Sequence, residues 1–282
     1  MICLMEQEGF EVKHLCQTLG VCRSAYYHFR NGPESHRQES ATRLRPLVQR
    51  IFIEHRRRYG SRRIAKELVA EGETCGRTKT RKIMGEMKLA AIQPRSFKPR
   101  TTESRHSLGY SPNLFIGNLN LARLNQVWVG DITYIPLANQ FAYLAMLMDL
   151  FSRKIIGWAL DRNMREPLTI AALSMAIRSR QPEPKLIHHT DRGGQYAGTK
   201  YRKILSRAQI QQSMSRAGDC YDNAFMESCF GTIKTELEMT NYESFQVAHR
   251  EIRDYINYYN AVRRHSSLDY KSPDNFERSN IH

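Results

Sequence analysis

Between residues 126 and 160 the chain carries three consecutive segments of β character, and the middle one, residues 141–150, is an almost unbroken apolar run. A strand that is apolar on both sides has to be covered on both sides, so it belongs inside a sheet with helices above and below. The preceding segment, residues 126–136, puts Val127, Val129, Asp131, Thr133 and Ile135 on one face by the two-residue period. Residues 153–160 follow after a short turn, which makes the second and third segments a hairpin. A helix over residues 167–180, with Leu168, Ala172 and Met175 on one stripe and Pro167 in its first turn, leads to a fourth strand at 185–189. A helix over 198–208, a short strand at 210–214 and a helix over 222–237 complete the block. A last helix, 244–262, carries Phe245, Ile252, Ile256 and Tyr259 on a core-facing stripe. Three antiparallel strands followed by alternating helix and strand predict a mixed five-stranded α/β sheet.

Upstream of residue 126 the pattern is helical. Residues 12–30 read as two short helices around a turn at Gly20, the layout of a helix-turn-helix. Residues 42–93 hold three more helices, the second capped by Ser61 and stopped at Gly72. The third carries Arg77, Lys79, Arg81 and Lys82 in its first turns, where a helix entering a DNA groove N-terminus first would need them. Residues 93–126, rich in Pro, Ser, Arg and Lys without sustained period, read as a basic linker. The predicted segmentation is therefore 1–35 and 36–95 (all-α, helix-turn-helix-like), 96–125 (linker), 126–240 (α/β) and 241–282 (terminal helix and tail).

Charge follows the same division. The net charge is +15; residues 1–125 hold 23 basic and 11 acidic side chains, residues 126–282 hold 20 and 17. A basic half joined to a nearly neutral one predicts a polyanion grip at one end and other work at the other. At 41% hydrophobic and 25% charged residues the chain is not globally disordered. No apolar run is long enough to span a bilayer, and the N-terminus lacks the pattern of a secretory signal. Six cysteines without a C-x-x-C pair argue against a disulfide scaffold or zinc ribbon. These features predict a cytoplasmic protein with no membrane partner.

Three acids occupy costly positions. Asp131 lies in mid-strand, Asp191 where a strand meets a Gly-Gly loop, and Glu227 beside the apolar stripe Met226, Phe230, Ile233 and Leu237. A buried carboxylate must neutralise or find a cation. Several converging carboxylates suit a hard divalent ion, Mg²⁺ or Mn²⁺, which keeps coordination positions for water and phosphate. Singly, each acid also has an ordinary explanation: an arginine partner for Asp131, a turn cap for Asp191, solvent for Glu227. Their spacing is more telling, with 60 residues from the first acid to the second and 35 residues between the second and the glutamate.

At this point the chain resembles the catalytic reading-frame product of bacterial insertion-element transposases, whose D-D-E domain is similar to retroviral integrase. The segments that carry the resemblance are WVGDITYI from Trp128, DLFSRKIIGW from Asp149, HHTDRGGQY from His188, DNAFMESCFGTIK from Asp222 and YNAVRRHSSL from Tyr259. Departures are small: Gly194 where Ser is common, Cys229 where an aromatic is usual, Asp269 where Gly is common. The resemblance implies an RNase H-like sheet in which the first and fourth strands are neighbours, with Asp131, Asp191 and Glu227 as catalytic and metal-holding residues. It implies two Mg²⁺ or Mn²⁺ ions, nicking of double-stranded DNA at element ends, and transfer of the freed 3′-hydroxyl to target DNA by transesterification. Lys234, two turns beyond Glu227, is then a phosphate contact, with Arg192, Arg263 and His265 as weaker ones, while Asp149 orders the hairpin turn. A homo-oligomer on DNA, a nucleoid location, and fusion to or cooperation with an upstream-frame end-binding protein are further implications.

Three rival readings have discriminating features. His189-Thr190-Asp191 with a distant His249 would suit a facial iron site but leaves Asp131, Glu227 and the basic half unexplained. A transcriptional regulator would bind DNA without divalent-dependent nicking. A retired copy would keep the acids without activity.

Overall fold

A computed structural model describes residues 1–30, 36–93, 109–114, 121–138, 140–215, 224–238 and 241–280. It divides into two compact units, Met1–Ala91 and Ile92–His282. Among the described residues no helix is long and apolar enough to cross a membrane.

The first unit is all helical: α1 (Ile2–Gln7), α2 (Val12–Thr18), α3 (Arg23–Arg30), α4 (His36–Glu54), α5 (Ser61–Ala70) and α6 (Arg77–Glu86). The turn between α2 and α3 falls at Gly20, whose φ of +65° is the left-handed conformation that glycine adopts without penalty. The helix α1, not foreseen from the sequence, is tied down by Glu6, which accepts hydrogen bonds from the Tyr26 hydroxyl and Arg30. The helices α4, α5 and α6 bury Leu44, Val48, Ile51, Ile64, Leu68 and Ile83 between them. The expected cap at Ser61 is one residue late: Gly60 is the N-cap, with no side-chain cap bond, and Ser61 is already helical. Tyr59 fixes that entry, since it is fully buried and stacked on His55 with ring centroids 3.7 Å apart.

The second unit is built on the strands β1 (Val127–Leu137), β2 (Gln140–Asp149), β3 (Ile155–Asp161), β4 (Ile187–Thr190) and β5 (Gln211–Met214), in the spatial order β3-β2-β1-β4-β5. The pairs β1–β2 and β2–β3 are antiparallel, and β4 and β5 join parallel to β1. This is the mixed five-stranded sheet that the strand pattern predicts, with the first strand beside the fourth as the resemblance implies for an RNase H-like sheet. The apolar run behaves as required: Leu144, Met146 and Met148 face one layer, Ala145 and Leu147 the other. The first layer is α10 (Ala224–Glu236) and α11 (Phe245–Ala261); the second is α7 (Glu166–Arg180), α8 (Gly194–Ala197) and α9 (Thr199–Arg207). In the second layer His188 bonds the Tyr201 hydroxyl at 2.6 Å, and burial holds its imidazole down to about 3, so it is neutral. The expected start of α10 at Asp222 lies outside the described residues. Ser244 caps α11 by accepting from the Val247 amide.

The stripe on α7 differs from the expectation at one position. Leu168 and Ala172 are buried as expected, but Met175 is 37% exposed, and Leu173 and Ala176 are buried instead. The cause is Gly157 on β3. A Cβ there would lie 2.3 Å from the Ala172 carbonyl oxygen and 2.9 Å from the Ala176 Cβ, so α7 turns its small residues onto the strand. Gly157→Ala is therefore expected to destabilise the fold by about 3 kcal/mol, at the upper end for overpacking because the struck atom is backbone. A lowered urea midpoint at unchanged slope is the readout.

Two further pieces were not legible. Residues 109–114, in the middle of the segment read as linker, lie along β5: the Met214 amide donates to the Pro112 carbonyl and the Leu114 amide to Ser213 Oγ. Near the C-terminus, α12 (Pro273–Arg278) docks through Glu277, which accepts from Arg180 and Lys154.

Candidate active site

The parallel ladder between β1 and β4 has a constant offset of 60 residues, from Val127 opposite Ile187 to Gly130 opposite Thr190. Asp131 and Asp191, the first two acids, keep that offset and follow the last paired row by one residue, Asp131 still in β1 and Asp191 just past the end of β4. Neighbouring strands stand about 4.8 Å apart, and residues level in a parallel pair face the same side. That side is the layer of α10 and α11, because Val127, Val129 and Ile135 of β1 join its core. The helix α10 lies on it through Met226, Cys229, Phe230 and Ile233, which leaves Glu227 in its first turn, exposed, next to the buried Met226.

Electrostatics tie the three acids together. Burial pushes the Asp131 carboxyl well above the usual carboxylate range, and the charge of Asp191 pushes it further. Glu227 adds to the rise, while the Ile132 amide, which donates to Asp131 Oδ1 at 2.8 Å, and the Lys234 ammonium oppose it. Lys234 is half-buried; burial pushes its amine down and Asp131 holds it up. Asp191 Oδ1 accepts from the Gly193 amide at 2.9 Å. Among the described residues no three His, Cys, Asp or Glu side chains gather into a group that could hold a metal ion. The acids are thus neighbours in field, all oxygen donors, whose mutual repulsion a hard divalent ion would relieve. As oxygen donors the residues suit such an ion in chemistry, although as placed they do not close around one.

The other expected residues divide sharply. Asp149 is fully buried and orders the hairpin turn, as anticipated: Oδ1 accepts from the Phe151 and Ser152 amides and Oδ2 from the Asn125 amide. Arg263 and His265, expected as phosphate contacts, are interior instead. Arg263 is 5% exposed and forks onto Glu236 at 2.8–3.0 Å, and His265 packs against it and edge-on to Tyr259. A guanidinium spent on a buried carboxylate cannot reach a DNA backbone. Arg192 is likewise engaged, through Nε to the Ser215 carbonyl at 2.7 Å. In the helical unit Arg77, Arg81 and Lys82 are exposed on α6, whereas Lys79 turns in to donate to Ser40. The facial-iron reading finds no support: His189 is buried against Ser213 at 2.8 Å, and His249 packs on Trp158. Tyr110 and Glu236 were missed, one inside an aperiodic segment and the other indistinguishable by pattern from a surface glutamate.

The mixed sheet thus carries one acid on its first strand and another just past the end of its fourth, with a third on a helix of the layer packed on that face. The integrase core domain family matches residues 122–220, with a second integrase core segment at 208–273, and an HTH-like domain family matches residues 39–97. The chain is 40% identical to the insertion element IS600 uncharacterized 31 kDa protein of Shigella sonnei, over 93% of this chain and 97% of that one. It is 40% identical to the transposase of insertion sequence element IS904 of Lactococcus lactis, over 84% and 94%. It is 35% identical to transposase InsF of insertion sequence IS3A of Escherichia coli, over 98% and 96%. The chain belongs to the insertion-sequence transposases with an integrase core domain.

Proposed function

We propose that this transposase nicks double-stranded DNA at the ends of its element and joins each freed 3′-hydroxyl to target DNA, with Asp131, Asp191 and Glu227 as the catalytic, metal-holding acids. The observation that supports this best is that the charges of Asp191, one residue past the end of β4, and of Glu227, in the first turn of α10, both bear on the buried carboxyl of Asp131 on the neighbouring strand β1. Bound by these carboxylates, Mg²⁺ or Mn²⁺, as one or two ions, would supply Lewis acidity for an in-line displacement at phosphorus. The Ile132 and Gly193 amides hold the two aspartates in orientation. Lys234, half-buried next to Asp131, binds a phosphate oxygen of the scissile strand. No covalent enzyme intermediate is required. Exposed Arg77, Arg81 and Lys82 on α6 hold flanking DNA, and pairing of two element ends calls for a homo-oligomer on DNA, with an upstream-frame protein as a fusion partner or helper.

The test is a duplex carrying the element's terminal repeat, incubated with the protein and Mg²⁺ or Mn²⁺. Nicked and joined products are expected, and none with a chelator; undiminished products with chelator would overturn the metal assignment. Affinity for the duplex should fall by about three orders of magnitude between 50 and 200 mM salt, for about six neutralised phosphates.

A further inference from the structure

The Asp191 loop is tied at its root to residues 109–114, a short strap laid over the edge strand. The strap is bonded along its length: Ser111 Oγ to Gln212, the Pro112 carbonyl to the Met214 amide, the Leu114 amide to Ser213 Oγ. Ser213 Oγ also meets His189 Nδ1 at 2.8 Å, two residues before Asp191. On the other side of that acid stands Arg192. Its Nε donates to the Ser215 carbonyl at 2.7 Å, and its guanidinium lies over the Tyr110 ring, 4.7 Å from the centroid. The Ser215 amide donates in turn to the Thr190 carbonyl at 2.9 Å. Asp191 therefore sits between Arg192, which meets the strap directly at Tyr110, and His189, which reaches it through Ser213 Oγ.

We propose that Tyr110 and Arg192 form a latch through which this strap positions the Asp191 loop. Arg192 is then a positioning residue and not a phosphate contact, and Tyr110 is its partner. The latch removes a degree of freedom that the loop would otherwise have. After Thr190 the β1–β4 ladder ends, and Asp191 and Arg192 bridge it to Gly193, the N-cap of α8, without strand pairing of their own. A cation over an aromatic face shifts an open–closed equilibrium by about two- to fivefold when part-exposed. That factor applies to the fraction of molecules with Asp191 in place. The consequence for catalysis rests on the proposed role of Asp191; the latch itself does not.

Two measurements separate these levels. Native-state trypsin cleavage after Arg192, followed by mass spectrometry, reads opening of the loop without any DNA. Tyr110→Ala is expected to speed that cut about two- to fivefold, Arg192→Lys to speed it as well, and Tyr110→Phe, which keeps the ring, to restore the slow cut. Unchanged cleavage in Tyr110→Ala would overturn the latch. In strand cleavage at saturating divalent ion, Tyr110→Ala and Arg192→Lys should lower kcat by a similar factor with KM for DNA unchanged, and Tyr110→Phe should recover it. Arg192→Lys keeps the charge that a phosphate contact needs but loses the planar fork. A normal kcat in that variant, or an effect confined to KM, would overturn the positioning role. If the unmodified protein cuts no DNA, the proposed reaction fails while the trypsin result still decides the latch.

Discussion

Asp131→Asn, Asp191→Asn and Glu227→Gln are each expected to lower divalent-dependent DNA cleavage by about three orders of magnitude while leaving DNA binding on a gel intact. Lewis-acid stabilisation of a displacement at phosphorus is worth several kcal/mol, and each ~1.4 kcal/mol is tenfold in rate. The amides keep the shape of the acids and an acceptor oxygen, so the Ile132 and Gly193 amides retain their partners. What is lost is the charge that holds the ion. Asp149→Asn is the useful contrast. Its carboxylate serves three backbone amides and lies 3.6 Å from Arg180, so that change should cost stability before it costs chemistry. Wild-type rates in any one of the three acid variants would remove that acid from the site.

Asp131 carries a second expectation of opposite sign. Its folded-state pKa is raised by burial and then by Asp191. A carboxyl whose pKa is higher folded than unfolded costs stability at neutral pH, and the cost fades as pH falls into the raised range. Without divalent ions, Asp131→Asn should therefore melt higher than the wild type at pH 7, and the two should converge at acidic pH. Adding divalent ion should raise the wild-type Tm and leave the variant's unchanged. A site that is strained when empty and relaxed when loaded is the usual pattern where function opposes stability.

The division between what the sequence disclosed and what it concealed has a physical basis. Strand alternation and the doubly apolar run of β2 are local properties, and the antiparallel start of the sheet follows from them; that the fourth strand lies beside the first, which brings Asp191 near Asp131, is implied by the resemblance and not by the pattern. Burial of Arg263 and His265 does not. In a stretch reading Arg263-Arg264-His265 every residue looks like a phosphate contact, and only the tertiary partner Glu236, on α10, says otherwise. The strap at 109–114 was hidden for a related reason. It adds its bonds mostly through backbone and small side chains, so it needs no hydrophobic period. The helix α12 was concealed because its docking is ionic, through Glu277 and Asp274 to Arg180 and Lys154, and charged residues at a chain end look like solvent-facing ones.

Breaking the Arg263–Glu236 pair should give the largest stability loss among the buried polar contacts. Glu236, on the last turn of α10, accepts from Arg263 and from the Tyr255 hydroxyl, and both charges are more than nine-tenths buried. Burial alone would lower the Arg263 pKa, and Glu236 more than offsets it, so Arg263 keeps its charge. Arg263→Met leaves an uncompensated carboxylate inside the protein and is expected to cost about 3–5 kcal/mol. Arg263→Met with Glu236→Leu removes both charges and should recover most of that loss, because a buried pair is close to neutral against apolar residues of similar volume. Urea midpoints of the two singles and the double give the coupling directly. The same series separates the structural role from DNA contact. A phosphate contact at Arg263 would lower the salt slope of DNA binding by about one and leave the urea midpoint alone. The opposite is expected, with the slope unchanged and the midpoint displaced, because this guanidinium anchors the end of the helix whose first turn bears Glu227.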